Sequence, residues 1–131
     1  MSASHVRNTF RNVVTGAAIP VYDTINLHAE PTDPIWLTYE FESEYMQKDS
    51  YCDDWEEIGV ILVYVVGKAG RGDAAVIAAA ETELKRIYNS TDPAGLMEFT
   101  GILPIEETSG GDADPNYRVS FGIEYVYFTR Y

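Results

Sequence analysis

The amino-acid sequence predicts an α+β domain: a mixed, mostly antiparallel sheet of about four to five strands with two helices packed on one face. Two stretches space their apolar residues as helices do, and the segments between and after them alternate with a period of two. The resulting order is α-β-β-β-α-β-β. The length, 131 residues, suits a single domain spanning 1–131, and the 46% hydrophobic and 13% aromatic content is enough to fill its core.

The first helix is predicted over residues 4 to 15. Val6, Phe10, Val13 and Val14 fall at i, i+4, i+7 and i+8, one apolar stripe, with Arg7, Asn8, Arg11 and Asn12 opposite. Ser4 suits the N-cap and Gly16 the C-terminal stop. Residues Ile19 to His28 follow, where Pro20 and Asp23 point to an irregular or edge strand. A turn with two prolines, Glu30 to Pro34, leads into clean alternation. Ile35, Leu37, Tyr39 and Phe41 point one way, and Trp36, Thr38, Glu40 and Glu42 the other, so this strand has a polar face. Gln47 to Glu57 reads as a polar, acidic connection. Ile58 to Val66 is a strand apolar on both faces except at Gly59, which calls for a helix or another subunit on its second side.

Lys68 to Gly72 is a turn, and Asp73 caps a helix reaching about Asn89. Its expected stripe is Ile77, Ala80, Leu84, Ile87 and Tyr88, with Glu81 and Lys85 paired opposite. Leu96 to Ile105 is a weaker strand, interrupted by Gly101 and Pro104. Glu106 to Asn116 is a Gly/Asp/Ser-rich loop. The last strand has the clearest signal: Val119, Phe121, Ile123, Tyr125 and Tyr127 alternate with Ser120, Gly122, Glu124, Val126 and Phe128.

Charge narrows the function. Nine basic residues against 21 acidic ones give a net charge of −12. Nucleic-acid binding needs a basic footprint, and anionic membranes repel such a chain. The longest apolar run, Ile58 to Gly67, is strand-length rather than membrane-spanning. The first residues lack the apolar stretch of a signal peptide. One cysteine, Cys52, forms no internal disulfide and no Cys-based zinc site, so a reducing compartment is expected.

Motifs for catalysis stay at background. Lys68 to Gly72 lies between a strand and a helix, where a phosphate loop would sit. It lacks the Gly-Lys-Ser/Thr pattern, and Asp73 would repel a phosphate. Asp53, Asp54, Glu56 and Glu57 surround Trp55, and Asp112 and Asp114 share a Gly-rich loop. Oxygen ligands suit Mg²⁺ or Ca²⁺, yet neither cluster has the spacing of a calcium loop, so both read as solvated acidic loops. His5 and His28 have no partner at ligand spacing, and Ser109 is not in a nucleophile elbow. No catalytic residue, metal or cofactor is assigned. The 10 tyrosines are the unusual feature, because Tyr is enriched where one side is apolar and the other wet, as at subunit interfaces.

The layout has a known counterpart. A short helix precedes Pro34-Ile-Trp-Leu-Thr-Tyr-Glu-Phe41. Glu57-Ile-Gly-Val-Ile-Leu-Val-Tyr-Val-Val-Gly67 and a capped helix follow, and Tyr117 to Phe128 closes the series. Over essentially the whole chain this resembles the phage tail-terminator proteins, including the siphophage minor tail protein U type and its prophage-encoded relatives. The resemblance implies a structural protein and not an enzyme. Such proteins form a hexameric ring that caps the tail tube, ends its polymerisation and offers the head-joining surface. The implied partners are further copies of the chain, the major tail tube protein and the head–tail connector protein. The implied location is the virion tail, after synthesis in the bacterial cytoplasm. By analogy the contacts lie in the loops Gln47–Glu57, Lys68–Gly72 and Glu106–Asn116. The candidate interface residues are then Asp53, Asp54, Trp55, Lys68, Arg71, Asp112 and Asp114, with Lys68 and Arg71 set to pair with acidic surface on a neighbour. A head–tail connector or neck protein is the alternative, and a small metal-dependent hydrolase using the acidic loops a more remote one.

Overall fold

The computed structural model describes residues 4–17, 19–23, 34–48, 54–68, 73–90, 96–107 and 116–130. The apolar stripe near the start forms helix α1 (Ser4–Val14), with Val6, Phe10 and Val14 fully buried beneath it. Strand β1 (Val21–Asp23) is short, as Pro20 and Asp23 foretell, and runs parallel to β2 (Ile35–Lys48). Their pairing is opened by the Leu37 N–H donating to the Pro20 carbonyl at 2.8 Å. β2 then pairs antiparallel with β3 (Asp54–Lys68). Helix α2 (Asp73–Tyr88), β4 (Met97–Glu107) and β5 (Asn116–Arg130) complete the order α-β-β-β-α-β-β. The strands lie β1-β2-β3-β5-β4, with every pairing antiparallel except β1–β2. The expected fold class is the one observed.

Two boundaries differ from expectation. Gln47–Glu57 is not wholly a connection, because β2 runs through Lys48 and β3 begins at Asp54. Polar residues stay in the ladder there by bonding across it. Gln47 Nε2 donates to Glu56 Oε2 at 3.0 Å, and the Tyr125 hydroxyl donates to Glu57 Oε2 at 2.5 Å beneath the surface. Likewise Glu106 and Glu107 belong to β4, and Asn116 opens β5.

Strand alternation decides what each face meets. Ile61, Val63 and Val65 of β3 stand beside Phe41, Tyr39 and Leu37 of β2 and beside Ile123, Phe121 and Val119 of β5. These residues form the core, and both helices cover it. Phe10 of α1 joins the helix to an aromatic cluster of the sheet. Its ring meets Tyr39, Phe41 and Phe99 edge to face at centroid distances of 5.0, 5.9 and 6.4 Å. α2 lies over β3, β4 and β5, and reaches β3 closely because Gly67 has no side chain. A Cβ there would overlap Val76 Cγ2.

The buried line of α2 is Val76, Ala80, Glu83 and Ile87, whereas Ile77, Leu84 and Tyr88 are only half-buried. The stripe is rotated from the expected one because an anchored carboxylate occupies an inward position. Arg86 Nε donates to Glu83 Oε2 at 2.8 Å, and its Nη1 and Nη2 donate to the Val13 and Val14 carbonyls at 2.8 and 3.4 Å. The guanidinium thus binds the C-terminal end of α1, where helix carbonyls lack internal partners and the dipole favours a cation.

Candidate functional site

The second face of the sheet carries no helix among the described residues. On β3 the contrast is internal to one strand. Ile61, Val63 and Val65 are each 0% exposed, while Ile58, Val60, Leu62 and Tyr64 keep partial exposure with strands on both sides. Register places the neighbours of these residues. Leu62 stands between Glu40 of β2 and Gly122 of β5, and Val60 between Glu42 and Glu124. Ile58 stands between Tyr45 and Val126, and Glu56 between Gln47 and Phe128. Beyond β5, Leu103, Gly101 and Glu98 of β4 lie opposite Gly122, Glu124 and Val126. Gly122 is needed here, since a Cβ on it would fall 2.7 Å from Leu103 Cδ1, which lies across that row.

The outcome is an aliphatic field with an acidic rim. Ile58, Val60, Leu62, Leu103 and Val126 form the field, with the Phe128 ring at its end, while Glu40, Glu42, Glu56, Glu98, Glu106 and Glu124 flank it. Arg118 is the only basic side chain described on this face. The rim shapes its own chemistry at Tyr64, whose hydroxyl donates to Glu40 Oε1 at 2.8 Å. Burial, this bond and the charges of Glu40 and Glu42 push the phenol up to about 12, against a smaller opposing pull from Arg118. At one end of the face Trp36 and Val66 are buried. Thr38 is 8% exposed, with no hydrogen-bond partner for its Oγ1 among the described residues. Trp36 and Thr38 therefore depart from the solvated polar face expected of β2.

A second feature lies at the sheet's margins. Among the described residues, the exposed large hydrophobic side chains are Tyr45 and Met46 on β2, and Leu96, Ile102 and Leu103 on or beside β4. β1 covers only Leu37 to Tyr39, so Tyr45 and Met46 lie on the part of β2 beyond it. The two apolar groups therefore sit on opposite edges of the sheet. β4 carries the devices that discourage indiscriminate strand pairing: Pro104, two register shifts, and Glu98, Glu106 and Glu107.

The residues singled out from the sequence are not brought together. Asp54 and Trp55 open β3, opposite Arg130 and Thr129, and Lys68 closes it opposite Asn116. Roughly 46 Å of extended strand separates those two ends. Trp55 is half-buried and, by register, on the helix side. Asp53, Arg71, Asp112 and Asp114 lie outside the described residues, as do His28 and Cys52, and so do the side chains of Asp54 and Lys68. Among the described residues no three His, Cys, Asp or Glu side chains are grouped to hold a metal ion. No described helix is long and apolar enough to cross a membrane. Sequence reasoning reached the second apolar side of Ile58–Val66 and the Glu40 and Glu42 side of β2, but not their assembly into one acid-rimmed face, because its members come from four strands and only the register aligns them.

No family model matches the chain, and no curated protein matches it. Solved structures do. One chain known by a sequence identifier alone superposes with a TM-score of 0.64 at 20% identity, over 100% of this chain and 98% of that one. At that identity the likeness concerns the fold alone, and it extends over the whole of it.

Proposed function

We propose that this chain is a structural phage tail protein that forms a ring capping the tail tube. In this reading the ring ends tube polymerisation and presents the head-joining surface. The observation that carries it is the placement of exposed apolar residues on opposite edges of the sheet, Tyr45 and Met46 on one and Leu96, Ile102 and Leu103 on the other. Two unlike patches on opposite sides are what a heterologous, head-to-tail interface requires, and such interfaces close into rings when the rotation permits. The whole-chain resemblance to tail terminators supplies the tube as the object capped. The reading assigns no catalytic step, metal or cofactor. A ring of chains each carrying −12 assembles better with added salt or divalent cations.

Light scattering on a sizing column tests it, with and without Mg²⁺ and tail tube protein. Six copies of 14.7 kDa give a ring of about 88 kDa. Tyr45→Glu and Ile102→Glu should each abolish the ring. An equimolar mixture of the two should yield dimers, since one intact patch of each kind remains. A chain that stays monomeric throughout and leaves tube length unchanged would refute the reading. A ring that binds the head–tail connector and ignores the tube would favour the connector role.

A further inference from the structure

We propose that the helix-free face of the sheet docks a cationic amphipathic helix belonging to another protein. This surface borders the edges used in ring formation, sharing Leu103 with one and meeting Tyr45 of the other beside Ile58, and the proposal does not depend on that reading. Three observations converge on the occupant. First, Ile58, Val60 and Leu62 alternate with residues that are 0% exposed, so the strand is built for two apolar layers and has one among the described residues. Second, the rim is complementary to a cation-flanked ligand. Glu42 and Glu124 stand on either side of Val60, two strand spacings or about 10 Å apart, and an α-helix with its side chains is about that wide. The helix's apolar stripe would lie on the aliphatic field while Lys or Arg on its flanks reach Glu40, Glu42, Glu98 and Glu124. Third, cations are scarce on this face: Arg118 is the basic side chain described there, Lys68 and Arg130 stand at register positions at its two ends, and a second copy would bring another −12. The aliphatic rows extend roughly 20 Å along the strands, matching about 14 residues of helix.

The test uses the full chain and three labelled peptides of about 14 residues. One is Leu/Lys with leucines on a single helical face, one is Leu/Glu with the same pattern, and one is Lys-rich with Ser in place of Leu. Fluorescence polarisation reads binding at low and high salt. The Leu/Lys peptide should bind, weaken as salt rises, and exceed the other two. Glu42→Lys/Glu124→Lys should weaken it about tenfold, whereas Glu81→Lys/Glu107→Lys, with the same charge change at exposed positions off this face, should change it less than about twofold. Carbodiimide cross-linking on the unaltered chain provides a readout free of folding effects, with links expected at Glu42, Glu98 or Glu124. Equal weakening by both double variants would reduce the effect to overall charge and overturn the proposal. Equal binding of the Ser-containing or Leu/Glu peptide, or cross-links confined to Glu81 and Glu107, would also overturn it. So would a concentration-dependent dimer that Glu42→Lys/Glu124→Lys abolishes, since the occupant would then be a second copy.

Discussion

The contact of α2 with Gly67 supports a compensation experiment. A Cβ on Gly67 would lie well under 3.0 Å from Val76 Cγ2, a separation real side chains do not show, and Val76 is 0% exposed and held by the core. Gly67→Ala therefore forces α2 away from the sheet. Overpacking of this kind costs typically 1–3 kcal/mol, and the backbone preference of Ala over Gly in a strand returns about 0.5 kcal/mol, leaving about 2 kcal/mol lost. Val76→Ala alone removes two buried methyl groups and opens a cavity, again about 2 kcal/mol. Combined, the new methyl at position 67 occupies part of the vacated space, so the double variant should lose about 1.5 kcal/mol rather than the additive 4. Urea unfolding followed by circular dichroism, with unchanged m-values, gives these numbers. For a chain of this length 1 kcal/mol corresponds to about 4 °C in Tm. A double variant that loses the sum of the two singles would refute the argument that the glycine exists to admit the helix.

Arg86→Ala should cost about 2–3 kcal/mol in the same assay, because it removes the guanidinium beside the buried Glu83 and two donors to the end of α1. Arg86→Lys should recover only part of it, since one ammonium cannot serve the carboxylate and both carbonyls in the fork geometry. Tyr64→Phe bears on alkaline stability. The phenol's folded value of about 12 lies above the ordinary tyrosine value of 10.0, so its contribution is complete below pH 10 and disappears as pH rises from 10 to 12. Discounted for partial exposure, that contribution is about 1 kcal/mol. Ultraviolet titration should show one fewer late tyrosine ionisation in Tyr64→Phe than in the parent chain.

Periodicity made most of the fold legible. β5 could be read residue by residue because its inward set, Val119 through Tyr127, alternates without a break and is buried as expected. The errors fall where a polar group is buried by a partner distant in sequence. Glu57 looks like loop until Tyr125, 68 residues away, is found bonded to it. Glu83 looks like solvent until Arg86 carries it to the end of α1. The same limit hid the acid-rimmed face. Glu42 and Glu124 become neighbours of Val60 only through two strand pairings, so no spacing along the chain relates them. The loops favoured from the sequence drew notice by their composition, whereas the surfaces that emerge are set by register.

The strand order also dictates a timetable on the ribosome. β3 occupies the middle of the sheet, yet its partner on one side, β5, begins 48 residues after β3 ends, counting from Lys68 to Asn116. At 5–20 residues per second, roughly 2–10 s of synthesis separates the two. For that interval the β2–β3 hairpin emerges with one long, apolar edge unpaired, a template on which nascent chains of neighbouring ribosomes could pair. The acidic residues along β2 and at the start of β3 make such hairpins repel one another during that delay, a service their charge performs before the native sheet exists.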